Sequence, residues 1–76
     1  MTTERNILDK LDLVYPRMLS ENVLYNDARM DDPKLTLTDF RSAVRSLELK
    51  GQAVQIQGED TLRIRITLDG KARLAE

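Results

Sequence analysis

Two arginines one helical turn apart are the side chains best suited to chemistry in this sequence. Arg41 and Arg45 lie in the segment TDFRSAVRSLELKG, residues 38–51, and a spacing of four places them on one face of a helix. Guanidinium groups fork onto phosphate or guanine, and the hydroxyls of Ser42 and Ser46 can donate to a base edge or a phosphate. An equally simple interpretation is a solvated helix face that keeps the domain in solution.

Bond-making chemistry has fewer candidates. The acidic pairs Asp31–Asp32 and Glu59–Asp60 each lie beside a proline or a glycine, where acids usually belong to solvated turns. The sequence contains no histidine and no cysteine, which removes imidazole and thiolate as nucleophiles, bases and metal ligands. We therefore expect no enzymatic activity, no metal site and no cofactor.

Length and composition predict one small domain that covers residues 1–76. No apolar run approaches the ~20 residues that span a bilayer, and the N-terminus lacks the long apolar core of a secretory signal, so the sequence predicts a cytoplasmic protein without membrane contact. The formal net charge is −1, which counts against nucleic-acid binding. The charge is uneven, however: residues 1–33 hold four basic and seven acidic residues, and residues 34–76 hold eight and six.

The N-terminal half predicts two helices. An apolar stripe with helical spacing follows a threonine cap at Thr2 or Thr3, and Pro16 should end it. The stripe consists of Ile7, Leu8, Leu11, Val14 and Tyr15. Ser20 is a favourable N-cap for a second helix, which has Glu21 in its first turn and which the turn formers of RMDDPK should end.

The third helix has two candidate starts. Residues 35–37 alternate as a short strand would, which favours Thr38 as the N-cap; in a register two residues earlier, Thr36 would be the cap and would form an approximate capping box with Asp39. We prefer Thr38. The predicted core face is Phe40, Ala43, Val44 and Leu47. Gly51 should end the helix in the left-handed conformation.

After Gly51 the apolar period changes from 3.6 to 2, which predicts a two-stranded antiparallel hairpin with a short turn at residues 58–60. The alternation predicts that Ile56, Ile64 and Ile66 join Phe40, Val44 and Leu47 in one core. It also places Gln55, Gln57, Arg63 and Arg65 on the outward face. The last segment, TLDGKARLAE, has enough apolar residues for a short terminal helix.

This order of elements resembles the winged helix-turn-helix superfamily, and small bacterial or phage-type winged helix proteins in particular. The resemblance lies in LTLTDFRSAVRSLELKG followed by AVQIQGEDTLRIRITLDGKARL, with its Thr-x-x-Gly-x-x-x-Leu ending at Thr67, Gly70 and Leu74. It implies an α+β fold, in which a helical bundle carries a two-stranded antiparallel wing.

The resemblance also implies a function, which is sequence-specific binding of double-stranded DNA by a transcriptional regulator. The third helix would lie in the major groove, and the wing strand would assist it. The implied DNA-binding residues are Arg41, Ser42, Arg45, Ser46, Lys50, Arg63 and Arg65. The acidic wing tip, Glu59–Asp60, departs from the pattern and argues against contact between the tip and DNA.

The alternative is a winged helix that serves as a protein-interaction module and does not bind DNA. Three leucines, Leu13, Leu49 and Leu68, lie off the predicted apolar stripes. Exposed together, they would form an apolar patch for a protein partner or for a homodimer through the first helix and the terminal segment.

Overall fold

The computed structural model describes residues 3–75, which form an α+β fold of helices and one antiparallel sheet. The helices are α1 Thr3–Val14, α2 Glu21–Asp31, α3 Leu37–Leu49 and α4 Leu68–Leu74. The strands are β1 Leu19–Ser20, β2 Ala53–Gln57 and β3 Leu62–Ile66.

Side-chain caps fix where the second and third helices begin. Ser20 caps α2 as predicted, and its hydroxyl accepts a hydrogen bond from the Val23 N–H at 3.4 Å. Thr36 caps α3 by accepting from the Asp39 N–H at 3.1 Å, so the preference for Thr38 is wrong and the earlier register is correct. Thr38 lies inside the first turn of α3, where its side chain is exposed.

The predicted strand at residues 35–37 is also wrong, because this segment is an anchored turn. The Leu35 side chain is buried, its N–H donates to the Asp32 carbonyl, and its own carbonyl accepts from the Tyr25 hydroxyl at 3.1 Å. The alternation of apolar and polar residues therefore reflects one buried leucine followed by a helix cap.

The helix ends follow the sequence more closely. The first helix ends at Val14, two residues before Pro16. The third ends before Gly51, whose φ of 75° is the predicted left-handed conformation.

The sheet has three strands in the order β1-β3-β2. The predicted two-stranded hairpin is therefore present, but the prediction missed the third strand, β1. The short β1 pairs with β3 through Leu19 and Ile64, while β2 and β3 pair along their whole length from Ala53–Ile66 to Gln57–Leu62. The Gly58 N–H donates to the Thr61 carbonyl at 2.8 Å, which closes a turn with two central residues.

One apolar core lies between the helices and the inner face of the sheet. Its buried members are Ile7, Leu8, Leu11, Leu24, Ala28, Leu35, Phe40, Val44, Leu47, Ala53, Ile64 and Ile66. Ile56 is 50% exposed and does not belong to it, contrary to the prediction. The pairing register is the reason: Ile56 lies opposite Arg63 on the outer face, whereas Gln55 lies opposite the buried Ile64.

A threonine and a glycine attach α4 to the base of the hairpin. The Thr67 hydroxyl accepts from the Gly70 N–H at 3.1 Å and donates to the Gly51 carbonyl at 2.6 Å. Gly70 is buried, and a Cβ atom there would clash with the Gln52 carbonyl oxygen. Close packing between α4 and residue 52 therefore explains why this helix contains a glycine.

Candidate interaction surfaces

The outer side of α3 borders a cleft between the start of α2 and the hairpin. The cleft encloses about 570 Å³. Its lining residues are Glu21, Asn22, Arg41, Arg45, Gln55, Gln57, Asp60, Thr61 and Leu62. Arg41 and Arg45 thus face the same space, as their spacing predicts, but two carboxylates share it with them.

Arg41 is held by one of these acids. Its Nε and Nη2 atoms both donate to Oε1 of Glu21, at 3.0 and 2.8 Å. The Arg41 side chain is 61% exposed and that of Glu21 is 14% exposed, so the first turn of α2 supplies a largely buried carboxylate to the arginine. Any ligand that recruits Arg41 would have to compete with Glu21.

Two further residues of the predicted site, Lys50 and Ser46, form hydrogen bonds with Glu4 of α1. Lys50 Nζ and Ser46 Oγ donate to Oε1 of Glu4, at 2.8 and 3.3 Å. Ser42 and Arg45 are exposed, and within residues 3–75 neither side chain makes a hydrogen bond or an ion pair. Three of the five predicted residues near α3 therefore have acidic partners.

The two arginines of β3 lie on the other face of the sheet. Arg63 and Arg65 are opposite Ile56 and Val54, and cross-strand partners share a face. Gln55, on the inner face, donates to Glu48 of α3 at 3.3 Å. The structure thus brings Arg41 and Arg45 together, and Arg63 and Arg65 together, but it separates these two pairs by the thickness of the sheet.

The outer face combines apolar side chains with these arginines. Beyond the end of β3, Tyr15 and Leu68 line a shallow depression that also contains Arg65 and has a volume of about 460 Å³. Leu68 is 71% exposed. We use the term outer sheet surface for Val54, Ile56, Arg63, Arg65, Tyr15 and Leu68.

Arg65 is unusual on this surface because its Nε atom is buried without an acceptor in the described chain. No hydrogen bond or ion pair of its side chain occurs within residues 3–75. A buried donor without a partner is costly, and a carboxylate is the acceptor that best satisfies a guanidinium. Because this atom is buried, it is an unsatisfied donor inside the surface and not a contact open to a partner, and Asp69 also lines the depression beside Arg65.

The length of the hairpin turn would have been enough to predict this surface from the sequence. If Gly58 and Thr61 flank a two-residue turn, counting back along both strands places Ile56 opposite Arg63 and Val54 opposite Arg65. The sequence prediction considered the apolar alternation of each strand without the pairing between the strands, and it therefore placed Ile56 and Ile64 on the same face.

The three unassigned leucines are all at the surface: Leu13, Leu49 and Leu68 are 85%, 77% and 71% exposed. No helix in the described part of the chain is long and apolar enough to cross a membrane. Comparison of the chain with protein-family models, with curated proteins and with solved structures gave no match.

Proposed function

We propose that this protein is a protein-interaction module that binds its partner through the outer sheet surface. The observation that carries the proposal is the register of the hairpin, which places the half-exposed Ile56 and the partly buried Val54 on the outer face beside Arg63 and Arg65. The helices and three-stranded sheet are compatible with a winged helix, in which the helical bundle would support the sheet and leave this surface accessible.

The chemistry of the surface defines the partner. Aliphatic side chains of the partner would cover Val54, Ile56 and Leu68, and the removal of this apolar area from water would supply most of the affinity. A carboxylate of the partner would accept hydrogen bonds from Arg65, and a charge-assisted bond of this type is stronger than a neutral one. An acidic segment with interspersed apolar residues meets both requirements.

The contacts of α3 support a function that does not need DNA. A phosphate at Arg41 or Lys50 would replace the carboxylate of Glu21 or Glu4 and would leave that acid near the DNA backbone. Asp60 borders the same cleft. Each of these acids lowers the net gain from phosphate binding.

Selection of displayed peptides against the folded protein tests the proposal. Selected peptides should combine Asp or Glu with aliphatic residues, and they should lose most of their affinity for Ile56→Asp, which places a like charge against the peptide. The control is Arg45→Glu, which reverses a charge on the opposite side of the sheet and should leave peptide binding unchanged. Peptides that bind native protein and Ile56→Asp equally well would refute the proposed surface.

A second candidate function is sequence-specific binding of double-stranded DNA by α3. The exposed Ser42 and Arg45, which have no partner within residues 3–75, support it. Because the β3 arginines lie on the other face, one DNA contact would use Arg41 and Arg45, and the log–log salt slope should be no steeper than about −1.8.

Fluorescence anisotropy with random and selected duplexes at low salt tests this candidate. Glu21→Gln should strengthen binding because it releases Arg41, whereas Arg45→Glu should abolish it. If native protein does not bind any duplex at low salt, or if Arg45→Glu binds as tightly, the DNA hypothesis fails.

A further inference from the structure

The free edge of β2 lacks the features that usually prevent a strand from pairing with another chain. The order β1-β3-β2 leaves β2 at an edge of the sheet. Edge strands are commonly protected by lysine, proline, a bulge or very short length. The β2 segment AVQIQ contains neither a charged residue nor proline, and it spans five residues, whereas β1 spans two.

The hydrogen bonds at the two ends of the hairpin identify which backbone groups face this edge. The Gly58 N–H donates to Thr61, and the Thr67 N–H donates to the Gln52 carbonyl at 3.1 Å. Hydrogen-bonded and non-bonded pairs alternate along an antiparallel ladder, so residues 54 and 56 bond to β3. The N–H and C=O groups of Ala53, Gln55 and Gln57 therefore point away from β3. Ala53 is only 1% exposed, so its backbone groups are covered, and the open part of the edge is formed by Gln55 and Gln57.

We propose that β2 pairs in antiparallel orientation with β2 of a second copy of this chain, around a two-fold axis at Gln55. In this register Gln55 lies opposite Gln55 of the second copy, and Ala53 lies opposite Gln57. The two Gln55 residues would then exchange two backbone hydrogen bonds. The pairs of Ala53 with Gln57 are not counted, because the backbone groups of Ala53 are covered in the monomer.

The side chains favour a second copy because the strand is complementary to itself in this register. Val54 would lie opposite Ile56 of the second copy in a non-hydrogen-bonded pair, where side chains approach most closely and β-branched residues interact well. Glutamines would meet on the inner face, and no like charges would oppose each other.

This inference goes beyond the proposed function and does not depend on it. The edge is formed by backbone groups, whereas the outer sheet surface is formed by side chains on one face. Pairing at the edge would join the outer sheet surfaces of two copies across the pairs formed by Val54 and Ile56.

Hydrogen exchange combined with sedimentation equilibrium tests the pairing in the native chain. At low protein concentration the amide of Gln55 should exchange rapidly, and those of Val54 and Ile56 should be protected by their bonds to β3. At concentrations where sedimentation shows a dimer, the Gln55 amide should become protected as well. A chain that stays monomeric at all concentrations, or a dimer in which this amide still exchanges rapidly, would overturn the inference.

A proline substitution provides a second, independent test. Gln55→Pro removes an N–H that faces the open edge and leaves the hydrogen bonds to β3 intact. It should raise the dimer Kd by about thirtyfold, because two backbone hydrogen bonds are lost per dimer. The matched control Gln55→Thr keeps the N–H and should dimerise like the native chain.

If Gln55→Pro dimerises as tightly as Gln55→Thr, the β2 pairing is wrong. Should the proline variant fail to fold, the exchange experiment on the native chain decides the question. Peptide binding at the outer sheet surface is measured separately, on the monomer. A failure of dimerisation therefore leaves the proposed function standing, and a failure of peptide binding leaves the pairing standing.

Discussion

The register of the hairpin predicts very different costs for two isoleucine truncations. Ile64 is fully buried, and Ile64→Ala should lower the free energy of unfolding by about 2–5 kcal/mol, through lost burial and a cavity. Ile56 is half exposed, so Ile56→Ala removes less buried area and leaves no closed cavity; its cost should be about 1 kcal/mol or less.

Urea unfolding followed by far-ultraviolet circular dichroism measures this difference at protein concentrations where the chain is monomeric. A domain of 76 residues has a total stability of roughly 4–11 kcal/mol, so Ile64→Ala removes a large share of it. With a slope of about 1 kcal/mol/M, the midpoint for Ile64→Ala should fall by roughly 2 M or more, and that for Ile56→Ala by less than about 1 M. Equal midpoints would show that Ile56 is buried and that the register is wrong.

Three further substitutions test the cap of α3 and the close packing of α4. Thr36→Ala should cost about 1 kcal/mol because it removes the N-cap of α3, while Thr38→Ala should change stability by less than about 0.5 kcal/mol, and chemical denaturation separates the two. Gly70→Ala would gain roughly 1 kcal/mol in an open helix, but here the clash with Gln52 should dominate and lower stability by about 1–3 kcal/mol. An unchanged melting temperature for Gly70→Ala would contradict the packing of α4.

Local signals were sufficient to predict most of the helices. The cap at Ser20, the stop before Pro16 and the left-handed Gly51 each depend on residues within one turn of the helix end, so the sequence contains the information directly. The start of α3 was ambiguous for the same reason: Thr36 and Thr38 are both good caps. The choice between them depends on Leu35, which the core and Tyr25 hold in place.

The faces of the sheet were harder to predict, because they depend on pairing between strands. Alternate residues of β2 lie on opposite faces of the sheet, with Ala53 on one face and Val54 and Ile56 on the other. Because Val54 and Ile56 are the more hydrophobic residues, hydrophobicity alone favoured their face as the buried one. The hairpin turn fixes the opposite choice. The third strand, Leu19–Ser20, is too short to leave any periodic pattern.

The charges around α3 show why its arginines and lysine could not be assigned a function from the helix alone. Glu4 and Lys50 are 46 residues apart, and Glu21 and Arg41 are 20 apart, yet each pair is in contact in the folded chain. The acidic N-terminal half thus partly neutralises the basic residues of the third helix, because α1 and α2 pack against it. On the outer face of β3 no acid of the described chain makes an ion pair with Arg65, although Asp69 lines the same depression, and on α3 Arg45 likewise has no partner within residues 3–75.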